Sequence, residues 1–490
     1  MNIATELAVR AARHGWRDRP AYLTASDRVS HGQVHDLAAR AAQVLAGLGV
    51  APGRRVLLAL PDGPEWIITF LAAARLGAVP VLTNPALPAA DHAHLVQECE
   101  VALIVAEEPV LSRFAGRTTI EAGHLMARAA TASVARAHPV PPDAPLYIQY
   151  TSGTTGRPAG VVHRHGDLAH HHRAVAAHML RIRATDVSLS VSKLFFAYGL
   201  GNSLVYPLYT GSAAVLLADR PSPTRIEELA DRFAVTVLHA VPSALAHLTA
   251  EASPGAFDRV RVAVSAGEPL RPSLADKARR LLGAPVLDEL GSTEVGGAFC
   301  AQTLAHAVPG TVGKALPGFR VEVRDAQNRH VTTPGVEGDL WASGPTLMAG
   351  YLQQPARTAE VLRDGWLRTG DRAALDEHGN VLHAGRADDL EMVGGITVSP
   401  LEIERVLDDH AAVRESAVAA VPDERGATKL RAFVVALDRS DHDVVARELL
   451  AEARQRLAPF KVPRSVEFVP ALPRTATGKL QRFVLRTGRP

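Results

Sequence analysis

Short apolar runs alternate with amphipathic segments along most of the chain. In HDLAARAAQVLAGLG (residues 35–49) apolar positions recur at three- and four-residue spacing, the period of a helix with one buried face. A turn at Ala51-Pro52-Gly53 follows, and then the strand-like run RVLLAL. EWIITFLAAARLG next reads as a helix and AVPVLTN as a strand. The rhythm returns at GSAAVLLA, AVTVLHAV and RVRVAVSAG. Strands that alternate with helices predict α/β architecture, with parallel sheets covered by helices.

After about residue 310 the texture changes. PGTVGKALPGFRVEVRD, GDLWASG and GNVLHAGR are short strand pairs punctuated by Gly and Pro, and they predict a small β-rich subdomain over about 310–387. From residue 388 a compact α+β pattern begins, with ITVSPLEIERVLDDH, SAVAAVPDE, LRAFVVALD, HDVVARELLAEARQRL and SVEFVPALP. The expected division is therefore a large N-terminal domain over 1–387 and a small C-terminal domain over 388–490, with the boundary at Arg386–Asp389.

Composition narrows the function. A chain of 490 residues is too long for one hydrophobic core. Hydrophobic residues make up 47% and charged residues 21%, which excludes a mainly disordered chain. Lys+Arg 53 against Asp+Glu 51 leaves a net charge of +2, so no basic surface points to nucleic acid. Aromatic residues at 5% are too sparse for base-stacking platforms. Cys99 and Cys300 stand far apart, which argues against a disulfide framework or a structural zinc site and for a cytoplasmic setting. The N-terminus lacks the apolar core of a signal peptide, and no run reaches the ~18–20 apolar residues of a membrane span. Only six lysines occur (Lys193, Lys277, Lys314, Lys429, Lys461 and Lys479), so a lysine in a motif carries information.

The densest polar motif follows the strand-like PLYIQY. Thr151, Ser152, Thr154 and Thr155 supply hydroxyls, while Gly153, Gly156 and Gly160 let backbone approach a ligand, a composition suited to phosphate oxygens. It lacks the GxxxxGK[ST] pattern of a Walker loop. By composition alone it would pass for an ordinary Ser/Thr/Gly loop. Six further motifs change that: Ser265-Ala266-Gly267-Glu268-Pro269-Leu270, Gly291-Ser292-Thr293-Glu294, GWLRTGD ending at Asp371, GRADD over 385–389, VSPLEI over 398–403, and PRTATGK ending at Lys479. With all seven in this order, the chain resembles the adenylate-forming superfamily of acyl- and aryl-CoA ligases, adenylation domains and luciferases. Lys193-Leu-Phe-Phe-Ala-Tyr-Gly-Leu-Gly-Asn202 is most similar to the benzoate-CoA ligase group.

The resemblance implies a reaction and assigns roles. A carboxylate attacks the α-phosphate of ATP, pyrophosphate leaves, and a thiol such as that of CoA then displaces AMP from the acyl-adenylate. Thr151, Ser152, Gly153, Thr154, Thr155, Gly156 and Arg157 would wrap the β- and γ-phosphates, with Asp288, Glu289, Leu290, Gly291 and Ser292 on the nucleotide side. Thr293 and Glu294 would flank the α-phosphate, Glu294 as the ligand of Mg2+, a cation that prefers oxygen donors. Asp371 would hold the ribose hydroxyls and Arg386 the ribose and phosphate. Lys479 would meet the charge that develops between carboxylate and α-phosphate. Rotation about a hinge at Asp388 would exchange Lys479 for a thiol tunnel lined by Val393, Gly394 and Gly395.

The acid pocket is expected from Phe195, Phe196, Ala197, Tyr198 and Gly199, the turn Ser265, Ala266 and Gly267, and the region of Leu290 and Gly297. Aromatic walls suit a flat aryl acid. One of the two phenylalanines would also pass for core. No aspartate opens the 193–202 segment to pair an α-ammonium, which argues against an amino acid substrate. Gly296 and Gly297 suggest a roomy pocket, hence a substituted benzoate or an aryl-acrylate. Arg157, Ala159 and Glu391-Met392 depart from the superfamily's usual lysines and Leu-Lys pair. His163, His165, His170, His171 and His172 read as polar surface, with His163 or His165 at most near the nucleotide loop. The expected partners are an aryl acid and CoA, the expected state a monomer or homodimer. Two alternatives stay open: a stand-alone enzyme that loads an acyl carrier protein, and activation of a small acid such as nitrite for aryl-amine diazotisation. A non-catalytic nucleotide sensor ranks last, because Asp371 and Lys479 are both present.

Overall fold

The computed structural model describes residues 2–151, 159–253, 255–389, 391–393, 396–422, 428–437, 441–474 and 480–487, without the side chains of Asp388, Met392, Ile396 and Thr397. Two sheets carry the N-terminal part. Strands Arg55–Ala59, Val79–Leu82, Leu103–Ala106, Thr119–Glu121 and Pro145–Tyr150 run parallel in a seven-stranded sheet, which Gly160–Arg164 and Gly350–Tyr351 extend antiparallel. A nine-stranded sheet holds Val187–Ser190, Ala213–Val215, Val237–Ala240, Val262–Ser265 and the start of Val286–Ser292 in parallel register.

Strand alternation explains the layering. In Arg55–Ala59, Val56 and Leu58 face one core while Leu57 and Ala59 face another. Val262 and Val264 likewise join the first core and Ala263 a third. The first core is shared by both sheets and is filled by helices His31–Gly47 and Pro64–Arg75, through residues such as Val34, Leu45, Trp66 and Phe70. Both sheets are therefore covered on both faces, as their apolar runs require. Helix His31–Gly47 starts four residues before the periodic pattern predicts, because Ser30 and Gln33 form a reciprocal capping box.

Arg320–Arg324, Gly338–Ser343, Leu362–Arg363, Trp366–Leu375 and Val381–Arg386 form an antiparallel five-stranded sheet. Beyond it, the hairpin Glu391–Val393 and Ile396–Val398 leads to a three-stranded sheet of Val413–Pro422, Thr428–Ala436 and Ser465–Phe468. Helices Pro400–Leu407 and His442–Arg456 cover one face, through Ile403, Leu407, Val445 and Leu449. Helix Arg482–Arg486 covers the other through Leu485. Among the described residues no helix is long and apolar enough to cross a membrane.

Candidate active site

In open α/β sheets ligands bind beyond the carboxyl ends of the strands, and the motifs collect there. The phosphate-type loop leaves strand Pro145–Tyr150 and returns as Gly160–Arg164, its feet closed by Thr151 N–H donating to the Ala159 carbonyl (3.1 Å). The Tyr150 hydroxyl, donating to Glu98 Oε2 at 2.5 Å, pins the near foot. Ala159 is fully buried. Ser152, Gly153, Thr154, Thr155, Gly156 and Arg157 lie outside the described residues, as do Gly394, Gly395 and Lys479.

Strand Val286–Ser292 ends in a single 3-10 turn, Thr293–Val295, capped by Ser292 Oγ accepting from Val295 N–H (3.3 Å). This turn is strapped from several sides. His163 places Nε2 2.7 Å from the Thr293 carbonyl and Nδ1 3.0 Å from Asp167 Oδ2. His171 Nε2 lies 3.0 Å from the Val295 carbonyl, which also accepts from the Thr346 hydroxyl (2.8 Å). The Met348 N–H donates to the Glu294 carbonyl (2.8 Å), and the Tyr351 hydroxyl donates to Glu294 Oε1 (2.9 Å). The Glu294 carboxylate is thus aimed by a phenol from a different sheet edge.

Three of the five clustered histidines are accordingly not polar surface, whereas His170 and His172 keep partial exposure. His163, His165 and His171 are buried, and burial pushes His165 and His171 down to about 4, so both are neutral. The reading failed because His163 lies on strand Gly160–Arg164 and His171 on the inner side of helix Asp167–His171, where the Thr293 and Val295 carbonyls and Asp167 take their ring nitrogens. The inference of a roomy pocket from two glycines also fails. A Cβ at Gly296 would stand 2.9 Å from His163, and one at Gly297 3.1 Å from His171. These glycines admit imidazoles from behind rather than opening space for substrate, and Gly296 further adopts φ +78°.

Asp371 and Arg386 face each other across strands Trp366–Leu375 and Val381–Arg386. Burial raises the Asp371 carboxyl, but the His383 hydrogen bond (3.3 Å) and the charges of His383 and Arg386 outweigh it and hold it below the usual range. Arg386 Nη1 lies 3.6 Å from Asp371 and donates to the Thr369 carbonyl (3.0 Å). Tyr351 feels the charges of both Glu294 and Arg386, which links this pair to the 293–295 turn.

The aryl-type recess forms where the segment after strand Val187–Ser190 crosses the sheet ends. Asp62 accepts from Leu194 N–H (3.0 Å), and the Gln149 amide nitrogen Nε2 donates to the Phe195 carbonyl (2.8 Å), so the seven-stranded sheet fixes this segment as it leaves the nine-stranded one. Phe195 belongs to the core, and Phe196 stands edge-on to it at 4.5 Å while keeping partial exposure. Ala197, Tyr198 and Leu290 are also partly exposed, Gly199 is buried, and Gly267 opens the facing turn at φ +89°. Ser265 and Ala266 are buried beneath it. Tyr198 is held by its hydroxyl donating to the Val264 carbonyl (2.9 Å).

Asp288 and Glu289, both expected on the nucleotide side, point to opposite faces of strand Val286–Ser292. Asp288 is buried and accepts from the Leu270 and Glu289 amides, so it braces the 265–270 turn. Glu289 is buried where its charge would act on Tyr198 and Tyr206. A motif frame fixes a position in the chain, whereas strand alternation decides which face its side chain takes.

The C-terminal sheet meets the same turn. Arg474 donates to Glu268 Oε1 (2.7 Å) and to Glu415 Oε2 (2.6 Å), and Arg271 pairs with Asp408. Arg474 also bridges to Leu480 in antiparallel pairing, on either side of the stretch that carries Lys479. Glu391, one of the departures from the usual pattern, is buried and accepts from Arg486 (2.9 Å), which ties the 391–398 hairpin to the last helix. Glu268 and Arg474 stand in quoted motifs, but motif spacing does not reveal that they pair, and Glu415, Asp408 and Arg486 stand in none.

Residues 7–352 match the family model described as AMP-binding enzyme, and residues 402–479 match the AMP-binding enzyme C-terminal domain. A p-hydroxybenzoic acid–AMP ligase of Mycobacterium marinum is 42% identical over 99% of this chain and 69% of its own length. A benzoate–CoA ligase of Thauera aromatica is 38% identical over 90% of this chain and 87% of its own. The crystal structure of a benzoate CoA ligase from Burkholderia xenovorans LB400 superposes with a TM-score of 0.92 at 33% identity, covering 99% of this chain and all of that one.

Proposed function

The chain belongs to the AMP-binding enzyme family, the AMP-forming acid–thiol ligases, and from that premise we propose that it activates a benzoate-type acid with ATP and passes the acyl group to the thiol of CoA. The observation that carries this is the convergence of three parts: the strapped Thr293–Glu294 turn, the Asp371–Arg386 pair and the aromatic wall of Phe196 and Tyr198.

Each part has a task. The Asp371 carboxylate, kept ionised, accepts from the ribose hydroxyls, and Arg386 beside it holds the sugar and phosphate. Thr293 and Glu294 face the α-phosphate. Mg2+ commonly binds through one or two carboxylates plus substrate phosphates, so a single aimed carboxylate at Glu294 fits it. Bound with the nucleotide, the ion supplies charge neutralisation at the phosphates. The acid's ring lies against Phe196 and Tyr198, and its carboxylate attacks the α-phosphate while pyrophosphate leaves. Lys479 meets the charge that develops there; removing such a donor costs ~2.7–4 kcal/mol, or ~10²–10³ in rate. The CoA thiol then attacks the acyl carbonyl and AMP departs. Rotation about Asp388 brings the hairpin that carries Val393, Gly394 and Gly395 to the thiol path.

A carrier-protein thiol is the second reading, favoured by similarity to a relative named as an acid–AMP ligase that extends beyond the matched region. Pyrophosphate release with ATP, magnesium and an aryl-acid panel, run with and without CoA and with products weighed by mass spectrometry, tests both. An acyl-CoA product supports the ligase. Adenylate that forms and never reaches CoA transfers the weight to the carrier protein.

A further inference from the structure

Against Tyr198 lies a buried polar cluster with unmet hydrogen bonds. His239 pairs in register with Val264, and Val264 with Leu287; Glu289 follows two residues after Leu287 and so takes the same face of the sheet. His239 is 1% exposed and Glu289 7%. Both ring nitrogens of His239 and Oε2 of Glu289 are buried without a partner. Ser265 Oγ, on the adjoining turn, is also unpartnered. Tyr198 stacks edge-on against His239 at 6.0 Å, and Tyr206 lies 6.4 Å from it.

Buried polar atoms in native proteins are almost always paired, and each one left unmet costs ~1–3 kcal/mol. The neighbours do not supply the missing bonds. The Tyr198 hydroxyl is committed to Val264, and the Asn202 amide donates to Ser190 Oγ (3.2 Å). Burial holds both groups in their neutral forms at pH 7, Glu289 pushed up to about 8 and His239 down to about 3. A neutral carboxyl and a neutral imidazole offer little to an ammonium but suit an uncharged polar group.

We propose that Glu289 and His239 are specificity-determining residues that read a hydrogen-bond-donating substituent, an amino or hydroxyl group, on the ring of the benzoate. This rests on the recess being the acid site. The ring packs on Phe196 and Tyr198, and its substituent gives the cluster the partners it lacks. A site built to hydrogen-bond a substrate rejects the analogue without that group far more strongly than an apolar pocket rejects a missing methylene.

The test is ATP–pyrophosphate exchange with benzoate and the three ring isomers each of aminobenzoate, hydroxybenzoate and methoxybenzoate, on the full chain. At least one amino or hydroxy isomer should exceed benzoate in kcat/KM by more than ~10², towards ~10⁴, with the matching methoxy acid near benzoate; the better arm tells amine from hydroxyl. In Glu289→Met and His239→Leu that preference should collapse to within a few-fold, whereas Glu289→Gln and His239→Gln, which keep hydrogen-bonding groups, should retain part of it. A wild type that favours benzoate, treats methoxy like hydroxy, or loses all acids equally in the apolar variants overturns the inference. Exchange with benzoate but no gain from any substituent defeats it alone, while no exchange with any aryl acid defeats the activation reading beneath it.

Discussion

Asp371 shows how one residue is tuned. It is buried, yet His383 and Arg386 keep its carboxyl below the ordinary range, so it stays an acceptor at any working pH. Hydrogen bonds to a charged group contribute ~1.5–3 kcal/mol, or roughly 10–100-fold. Asp371→Asn should therefore raise KM for ATP by about that factor and leave KM for the acid nearly unchanged. Steady-state pyrophosphate release decides it, and an unchanged KM for ATP would remove Asp371 from nucleotide binding. His163 acts at one remove, through the Thr293 carbonyl it holds at 2.7 Å. A displacement of ~1 Å can cost ~10² in rate, so His163→Ala should lower kcat for adenylation up to about that far, and His163→Gln should recover part. Equal kcat values in the two variants would contradict a positioning role.

At the scale of elements, the contact between Arg474 and the 265–270 turn is the one most exposed to test. Arg474 joins Glu268 to Glu415 across the two parts of the molecule, five residues before Lys479 in the chain. Arg474→Met should slow adenylation about tenfold, the effect of ~1.4 kcal/mol, yet leave thioester formation from a preformed acyl-adenylate near wild type. Equal loss in both half-reactions would assign Arg474 to stability alone. Helix His31–Gly47 offers a simpler check: Ser30→Ala should destabilise by ~1 kcal/mol in chemical denaturation, because it removes the cap.

These elements also show what the sequence made legible. The apolar runs at 55–60, 237–240 and 262–265 read as strands because a strand covered on both faces needs apolar residues on both, and the ordered motifs singled out Thr293 and Glu294, just past a strand end, and Asp371 and Arg386, which pair across two strands. The π-helical stretches His172–Met179 and Gly201–Val205 were not legible, since their hydrogen bonding depends on packing rather than on a period of 3.6. The histidines passed for surface because the carbonyls of Thr293 and Val295 that receive His163 and His171 lie more than a hundred residues away in the chain. The direction of the Glu289 side chain was not legible either, because direction within a strand end depends on a register that only the folded sheet sets.

Over the whole molecule, buried ionisable groups set the response to pH. His31, His35, His165 and His171 sit near 4 and His239 near 3, against 6.5 for an exposed imidazole, with burial as the leading cause. The unfolded chain gains protons below 6.5 that the fold cannot take up, so stability from these groups is full above 6.5 and is lost as pH falls towards 4. Each is worth up to ~1.4 kcal/mol per pH unit. Glu289, raised to about 8, and Asp62, raised to about 6, act the other way, but five histidines outweigh them. Tm should fall between pH 7 and pH 5. From 6.5 to 8 these histidines are silent, and Glu289, with its neighbour Asp288, whose carboxyl burial also raises, should make stability drift down as pH rises, a drift that Glu289→Gln reduces. Melting curves across pH 5–8 check both signs, and a higher Tm at pH 5 than at pH 7 would refute the first.

All of these effects converge on one chemical claim, that the recess and the nucleotide side together activate an aryl carboxylate. ATP–pyrophosphate exchange driven by benzoate-type acids measures that step without any thiol. The predicted result is exchange that requires the aryl acid and magnesium and disappears when Asp371 is replaced by alanine. Exchange driven by aliphatic or amino acids, with every benzoate silent, would contradict the account.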